Sequence, residues 1–228
     1  MAANHDPRPF RWPRLIRDGG LFFRQAVQTF RTTGAIIPSG AALASELARY
    51  VAQRNDPASS LSILEAGPGT GPVSRAIAAR MRPGDAVDLV EANPVFVEHL
   101  TRLVKSDPVF QPIADRVTIH PTLVTELGTD RQFDVIISGL PFANFTADEV
   151  RTIMEYYFSV LRPGGYVSFF SYLYLKQVTA VVSPLDDYLR RVRSGWEVRE
   201  WVNRYAVDQV HVYRNIPPAC VFHLRKPL

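Results

Sequence analysis

The sequence is poor in the residues that mark disulfide-linked, metal-clustered or membrane-spanning proteins. Its 228 residues include one cysteine, Cys220, which excludes an intramolecular disulfide and a cysteine metal cluster. The longest apolar run, residues 166–175, falls well short of the roughly 20 residues of a membrane-spanning helix and is typical of a strand. Arg24 interrupts the apolar start of the chain, so no signal-peptide core is expected. These features favour a cytoplasmic protein without a metal.

Charge is ordinary in amount but uneven in placement. The charged fraction is 21%, and 46% of the residues are hydrophobic, which is enough for one sizeable core. Residues 8–31 contain six arginines and a single acid, Asp18, so this segment carries +5 and the rest of the chain −1 of the total of +4. A basic head on a near-neutral body indicates an anionic partner, either a membrane surface or a nucleic acid.

Strand-like and helix-like segments alternate after residue 40. A helix is predicted over residues 40–54. Strands are then predicted at 61–66, 86–91, 117–120, 133–138 and 166–174, and helices at 73–81, 94–105, 147–161 and 183–193. Strand-like runs at 196–205, 207–213 and 219–225 close the chain. This order predicts an α/β protein with a mostly parallel sheet, helices on both faces, and an antiparallel hairpin at the end.

A glycine-rich turn lies between the first predicted strand and the helix after it. Its glycines, Gly67, Gly69 and Gly71, follow a G-x-G-x-G spacing that differs from the G-x-G-x-x-G of dinucleotide sites, and Glu65 precedes them. Glu91 ends the second predicted strand, where a carboxylate is placed to accept hydrogen bonds from both ribose hydroxyls. With no diphosphate to hold, the loop is suited to the methionine end of S-adenosylmethionine (SAM). A purely structural turn and an NAD site are the alternatives.

These motifs resemble those of class I SAM-dependent methyltransferases, from about residue 39 to the C-terminus. The resemblance implies a Rossmann-like, seven-stranded sheet with its last strand antiparallel, and S-adenosylhomocysteine (SAH) as the product. It places the cofactor at Ser39, Glu65, Gly67, Pro68, Gly69, Thr70, Gly71, Glu91, Ala92, Asn93, Leu123, Ser138 and Gly139. Many members carry an adenine-binding aspartate where residues 120–124 read His-Pro-Thr-Leu-Val. Apolar packing and backbone groups near Leu123 are therefore expected to hold the adenine.

The segment after the fourth predicted strand bears on the methyl acceptor. Adenine N6-methyltransferases place an asparagine where this chain has Gly139, so the polar anchor for an adenine amine is missing, whereas Phe142 keeps the aromatic ring. Aromatic faces bind alkylammonium groups, and Tyr172 and Tyr174 end the following strand on one face. These rings therefore favour a primary amine as acceptor. The alternative is that the aromatics only fill the core.

The turn of the closing hairpin, residues 213–219, contains Arg214. If the last strand is antiparallel, this turn lies at the same sheet edge as the cofactor, where a guanidinium suits a phosphate. A solvated arginine beside a proline-shaped turn is the alternative.

Four segments together resemble the bacterial phospholipid N-methyltransferases: residues 33–39, 65–71, 138–142 and 214–219. The resemblance covers roughly residues 20–227 and implies methylation of phosphatidylethanolamine, in up to three steps, toward phosphatidylcholine. An RNA adenine methyltransferase and a non-catalytic lipid-binding module are the rival hypotheses.

The basic head fits a lipid substrate. In residues 1–32 the arginines are interleaved with large apolar side chains, as in segments that lie on anionic bilayers. We therefore expect residues 1–32 to be an amphipathic membrane-binding segment and 33–228 to be the methyltransferase domain. The alternative is a helix that packs on the domain with its arginines solvated. The expected protein is a monomer, peripheral on the inner face of the cell membrane, with no nucleic-acid partner.

Overall fold

The computed structural model describes residues 40–54, 59–173 and 185–228. The predicted membrane segment 1–32, the motif 33–39 with Ser39, and Tyr174 lie outside these residues.

The described residues form alternating strands and helices. The helices are α1 (Ala41–Leu47), α2 (Arg49–Ala52), α3 (Pro72–Ala78), α4 (Pro94–Ser106), α5 (Ala147–Val160) and α6 (Leu185–Tyr205). The strands are β1 (Ser62–Ala66), β2 (Ala86–Val90), β3 (Val117–His120), β4 (Phe133–Ser138), β5 (Leu161–Tyr172), β6 (Ala206–Val212) and β7 (Ala219–Arg225). Short 3-10 helices span Gln111–Arg116, Val124–Glu126 and Phe142–Asn144.

The seven strands form one sheet in the order β3-β2-β1-β4-β5-β7-β6. All neighbours pair in parallel except β7, which runs antiparallel to both β5 and β6. This topology confirms the predicted class I fold. The carboxyl ends of β1 to β6 therefore share one side of the sheet, called here the carboxyl edge, and the β6–β7 turn lies at the same edge.

Apolar side chains alternate along the buried strands and form a core on each face. Ile63 packs into the cluster beneath α1, α3 and α4, whereas its neighbour Leu64 packs into the cluster beneath α5 and α6. A capping box begins α5, in which Thr146 and Glu149 satisfy each other's backbone N–H groups. Among the described residues, no helix has the length and apolarity to cross a bilayer.

The sequence-based prediction was wrong over residues 196–205, which form the second half of α6 and not a strand. The apolar residues that suggested a strand are Val198, Trp201, Val202 and Tyr205, and all four pack against the core cluster beneath α5 and α6. Their spacing of three, four and seven residues places them on one side of a helix. The helical period was therefore present, but the short window resembled strand alternation.

Candidate active site

The loop between β1 and α3 exposes backbone at the carboxyl edge. Gly69 has a φ of 58°, and a Cβ added to it would meet nothing within 4 Å. Since L-residues rarely adopt this φ, only glycine holds the turn without strain, and it leaves the space above the loop open. Gly69 and Thr70 are partly exposed, whereas Pro68 and Gly71 are buried. The middle of the loop is thus the part that a ligand can approach.

The end of β4 closes against this loop. The amide of Gly139 donates to the carbonyl of Ala66 at 2.8 Å. A Cβ at Gly139 would lie 2.5 Å from the carbonyl oxygen of Gly67, which is closer than real contacts allow. Position 139 therefore has no room for a side chain in this backbone.

Glu91 lies just after β2 and connects the loop to the start of α4. Its Oε2 accepts from the amide of Gly69 at 3.1 Å, and its Oε1 accepts from the amide of Asn93 at 2.8 Å. The carboxyl is 4% exposed, and this burial raises its pKa, an effect that the backbone N–H groups partly offset. Asn93 in turn caps α4 by accepting from the amide of Val95 at 3.0 Å. The carboxylate is thus fixed at the edge and retains acceptor capacity for a diol.

Glu65, near the end of β1, is a buried carboxyl without full hydrogen bonding. It is 1% exposed, and burial raises its pKa to about 8, with the negative charge of Glu91 adding to the rise. The Ser74 hydroxyl offsets part of the shift, although its geometry to the carboxyl falls outside a full hydrogen bond. Glu65 Oε2 and Ser74 Oγ have no hydrogen-bond partner among the described residues. A cationic group such as the ammonium of SAM would supply one, so the site fits this cofactor.

The remaining predicted cofactor residues differ in how much they expose. Ala92, Asn93 and Leu123 are partly exposed. Ser138 is fully buried, where it accepts from the hydroxyl of Tyr157 at 3.0 Å. The Ser138 side chain is therefore used within the protein, and backbone groups of this segment are left to face a ligand.

The predicted acceptor residues lie in different environments. Phe142 is 4% exposed and packs edge-on against Phe169, with ring centroids 5.3 Å apart. Because the ring is buried in this way, it packs in the core, and a role toward the amine stays a prediction. The backbone carbonyl of Phe142 accepts from Ser194 Oγ at 2.7 Å. Tyr172 is half-buried at the end of β5 beside Phe170, with its pKa raised by burial. Arg214 is exposed in the β6–β7 turn.

Sequence reasoning missed the role of Asn215. This side chain is 2% exposed; its Oδ1 accepts from the amide of Gly40 at 2.7 Å, and its Nδ2 donates to the carbonyl of Pro217 at 2.7 Å. Asn215 therefore joins the turn to the chain entering α1. The sequence signal was indirect: Asn215 belongs to the segment 214–219 of the family resemblance, and Gly40 directly follows the segment 33–39.

Three polar side chains form a hydrogen-bonded group under α1. His223 Nδ1 is 2.8 Å from Ser168 Oγ, and His223 Nε2 is 3.0 Å from Glu46 Oε1. Ser168 and His223 are fully buried, and burial lowers the pKa of His223. The neutral Nε2–H tautomer satisfies both bonds. Although the order of groups resembles a hydrolase triad, no substrate can reach this serine, so the group is structural.

Comparison with known proteins agrees with this geometry. Residues 63–165 match the family described as "Methyltransferase domain", which spans the glycine loop, Glu91 and the end of β4. This region is a SAM-dependent methyltransferase domain of class I. Over the part of the chain that the structure describes, no group of histidine, cysteine or carboxylate side chains could hold a metal ion.

The proteins and solved structures similar to this chain are distant from it. It is 23% identical over 212 residues to an ornithine lipid N-methyltransferase of Singulisphaera acidiphila, covering 92% of this chain and 97% of that protein. A Burkholderia thailandensis 1,6-didemethyltoxoflavin-N1-methyltransferase structure with SAH bound has a TM-score of 0.63 and 17% identity, covering 98% and 94% of the two chains. A Bacillus cereus O-methyltransferase in complex with SAH has a TM-score of 0.60 and 15% identity, covering 90% and 91%. These structures share the fold with this chain.

Proposed function

We propose that this protein transfers methyl groups from SAM to the primary amine of a membrane lipid that also carries an anionic group. The observation that carries the proposal is the similarity to the ornithine lipid N-methyltransferase, because it extends over nearly the full length of both chains. Phosphatidylethanolamine is the acceptor expected from the sequence, and ornithine lipid is the acceptor that this relative suggests. Both combine an amine with an anion.

The described residues have distinct roles in this reaction. When bound, SAM supplies a methyl group on a positively charged sulfur. Glu91 is placed to accept hydrogen bonds from the ribose, and Glu65 to meet the ammonium of the methionine part. The open space above Gly69 admits the ligand close to the backbone. These residues would hold the donor at the carboxyl edge, where alignment with an incoming amine would lower the barrier.

The amine must be neutral to react. An alkylammonium has a pKa near that of lysine, about 10, and burial beside apolar rings disfavours its charged form. With SAM bound, the neutral amine would form its N–C bond as the C–S bond of SAM breaks, and SAH would be the leaving thioether. The half-buried ring of Tyr172 is the described aromatic best placed for the methylated ammonium, since it ends β5 at the carboxyl edge.

Arg214 is our choice for the lipid anion. It lies in the β6–β7 turn at the carboxyl edge, and its side chain is exposed. A planar guanidinium pairs with either a phosphate or a carboxylate through two hydrogen bonds, so this choice suits both candidate lipids.

The RNA adenine methyltransferase hypothesis is weakened by one feature of the site. Gly139 stands where those enzymes carry asparagine, and here its missing Cβ would lie 2.5 Å from the Gly67 carbonyl oxygen. The non-catalytic hypothesis is weakened by the buried carboxyl of Glu65, because its Oε2 has no hydrogen-bond partner among the described residues and a bound cationic ligand would supply one.

The test is methyl transfer from labelled SAM. The protein is incubated with vesicles containing phosphatidylethanolamine, vesicles containing ornithine lipid, vesicles of phosphatidylcholine alone, and RNA. We expect label in at least one amine-bearing lipid and none in phosphatidylcholine or RNA. Label in RNA alone would refute the proposal. The absence of label from every fraction would also refute it, provided that the protein is shown to bind SAM. In the cell, we further propose a monomer bound peripherally to the inner face of the membrane through residues 1–32.

A further inference from the structure

We infer that the β6–β7 turn is a second membrane contact, in which Tyr213 and Ile216 insert into the interface of an anionic phospholipid bilayer. The inference rests on the proposed function insofar as the bilayer brings the substrate to the carboxyl edge. It concerns described residues and does not depend on the N-terminal segment.

The turn exposes large side chains that remain uncovered by the part of the chain that the structure describes. Tyr213 is 67% exposed and Ile216 is 76% exposed, whereas Val212 before them and Ala219 after them are buried. These two apolar side chains stand on one tight turn, called here the tip, and the Tyr213 ring lies beside His211 with ring centroids 5.9 Å apart.

The turn is held firmly in this outward arrangement. The buried Asn215 side chain bonds to Gly40 on one side and Pro217 on the other. The carbonyl of Pro218 accepts from the amide of Leu173 at 2.8 Å. Because Asn215 points into the protein, its neighbours on both sides are displayed to solvent. A tip that is already ordered loses little conformational entropy when it binds.

The chemistry of the tip favours a lipid surface over a protein partner. Residues 209–218 contain Arg214 and no acid, so the tip is attracted to anionic headgroups. Tyrosine prefers the membrane interface because its ring is apolar and its hydroxyl is polar, and an isoleucine beside it can reach the acyl boundary. Arg214 between them would then lie at the level of the lipid phosphates.

The position of the tip gives this contact a use. The β6–β7 turn lies at the carboxyl edge, as do the Gly69 loop and Glu91. A bilayer touching the tip therefore presents its headgroups to the side of the sheet that holds the cofactor, and a lipid amine travels the shortest path to it.

Val207 provides a matched control. It is 52% exposed on the same strand as the turn, but at the opposite end of β6. We expect the Y213S/I216S double variant to bind vesicles of phosphatidylcholine with phosphatidylglycerol on the order of tenfold more weakly than the wild type, given the apolar area removed. V207S should bind like the wild type. The thermal melting curve of each protein should first show that it is folded. Equal vesicle binding by the wild type, Y213S/I216S and V207S would then overturn the inference.

A local probe makes the test independent of binding through other segments. The native Cys220 is buried, so a thiol-directed environment-sensitive dye reports on an introduced cysteine. In the full chain, dye on Ile216→Cys should shift to the blue and be quenched by brominated lipids when these vesicles are added, whereas dye on Val207→Cys should not. No change at position 216 while the protein sediments with vesicles would contradict insertion, and would favour a protein partner for the tip.

The two proposals fail separately. These vesicles contain no amine-bearing substrate lipid, so insertion is measured whether or not the protein methylates lipids. Insertion without methylation of either amine lipid would refute the proposed acceptor and leave the membrane contact. Methylation without insertion would do the reverse.

Discussion

The ionisation of Glu65 should change when SAM binds, and the change is measurable. Without ligand, burial and the neighbouring Glu91 hold the pKa of Glu65 at about 8. At pH 7 the carboxyl is then ionised in roughly one molecule in eleven. If the ammonium of the ligand lies beside Glu65, its positive charge favours the carboxylate and should lower this pKa well below 6. Binding at pH 7 should therefore release about 0.9 proton.

The same linkage fixes the sign of the pH dependence. Because the ligand binds the ionised form, its affinity should rise with pH, by about ninefold between pH 6 and pH 7 for a starting pKa near 8. Stability of the free protein should move the other way. A carboxyl whose pKa is raised on folding loses stability as pH rises from its ordinary range of about 4.5 toward 8, so the stabilisation by SAH should grow with pH.

Isothermal titration with SAH provides the assay. The proton release appears as a difference in binding heat between buffers of low and high ionisation enthalpy, and the affinity is followed from pH 6 to 7. The Glu65→Gln variant is the matched control, because glutamine keeps the shape of the side chain but does not titrate. Any titration of the ligand's own amine is the same for both proteins and cancels in the comparison. It should show a flat affinity and no extra proton release. Flat affinity and no proton release in the wild type would mean that Glu65 stays neutral, and our account of it would be wrong.

Three further predictions concern other parts of the chain. Glu91→Ala should weaken SAH binding about tenfold to a hundredfold, because charge-assisted hydrogen bonds are lost. Gly69→Val should abolish SAH binding, because its side chain fills the space above the loop. Unchanged affinity by calorimetry in folded variants would remove both residues from the site. Arg214→Lys should lower turnover of the lipid about tenfold while SAM binding stays intact, and full activity of Arg214→Ala would refute the anion contact. Tyr172→Phe should keep activity because the ring remains, whereas Tyr172→Leu should lose it. Deleting residues 1–19 should weaken sedimentation with anionic vesicles by about 1 kcal/mol per arginine removed, most strongly at low salt, and equal loss on neutral vesicles would exclude the electrostatic cause.

The sequence was sufficient for features that depend on local chemistry. Near-continuous apolar runs predicted the buried strands, and the spacing of Gly67, Gly69 and Gly71 predicted the open loop before α3. Glu91 was placed correctly at the end of β2 because a strand end has a defined position in such a sheet. Residues 196–205 failed because ten residues of mixed polarity do not distinguish a helix from a strand when the helix is anchored on only one side.

Features that depend on contacts between distant residues could not be predicted. The bond between Asn215 and Gly40 joins positions 175 residues apart. Gly139 was interpreted from sequence as a cofactor residue and as the loss of an adenine anchor, and the structure adds a steric reason for glycine in its approach to Gly67. Phe142 was assigned to the acceptor from its place in a motif, whereas its burial against Phe169 depends on how β5 packs beside β4.

The direction of a single strand links the two halves of the proposed function. If β7 ran parallel to β5, the connection from β6 would have to run back along the length of the strands to the opposite edge of the sheet. No short turn would then form at the carboxyl edge. Because β7 is antiparallel, β6 and β7 are joined by a turn that emerges beside the ends of β4 and β5. Asn215 then fixes that turn to Gly40, the residue before α1. The Tyr213–Ile216 tip thereby lies at the carboxyl edge, on the same side of the sheet as the Gly69 loop and Glu91, which is the arrangement that the proposed membrane-bound substrate requires.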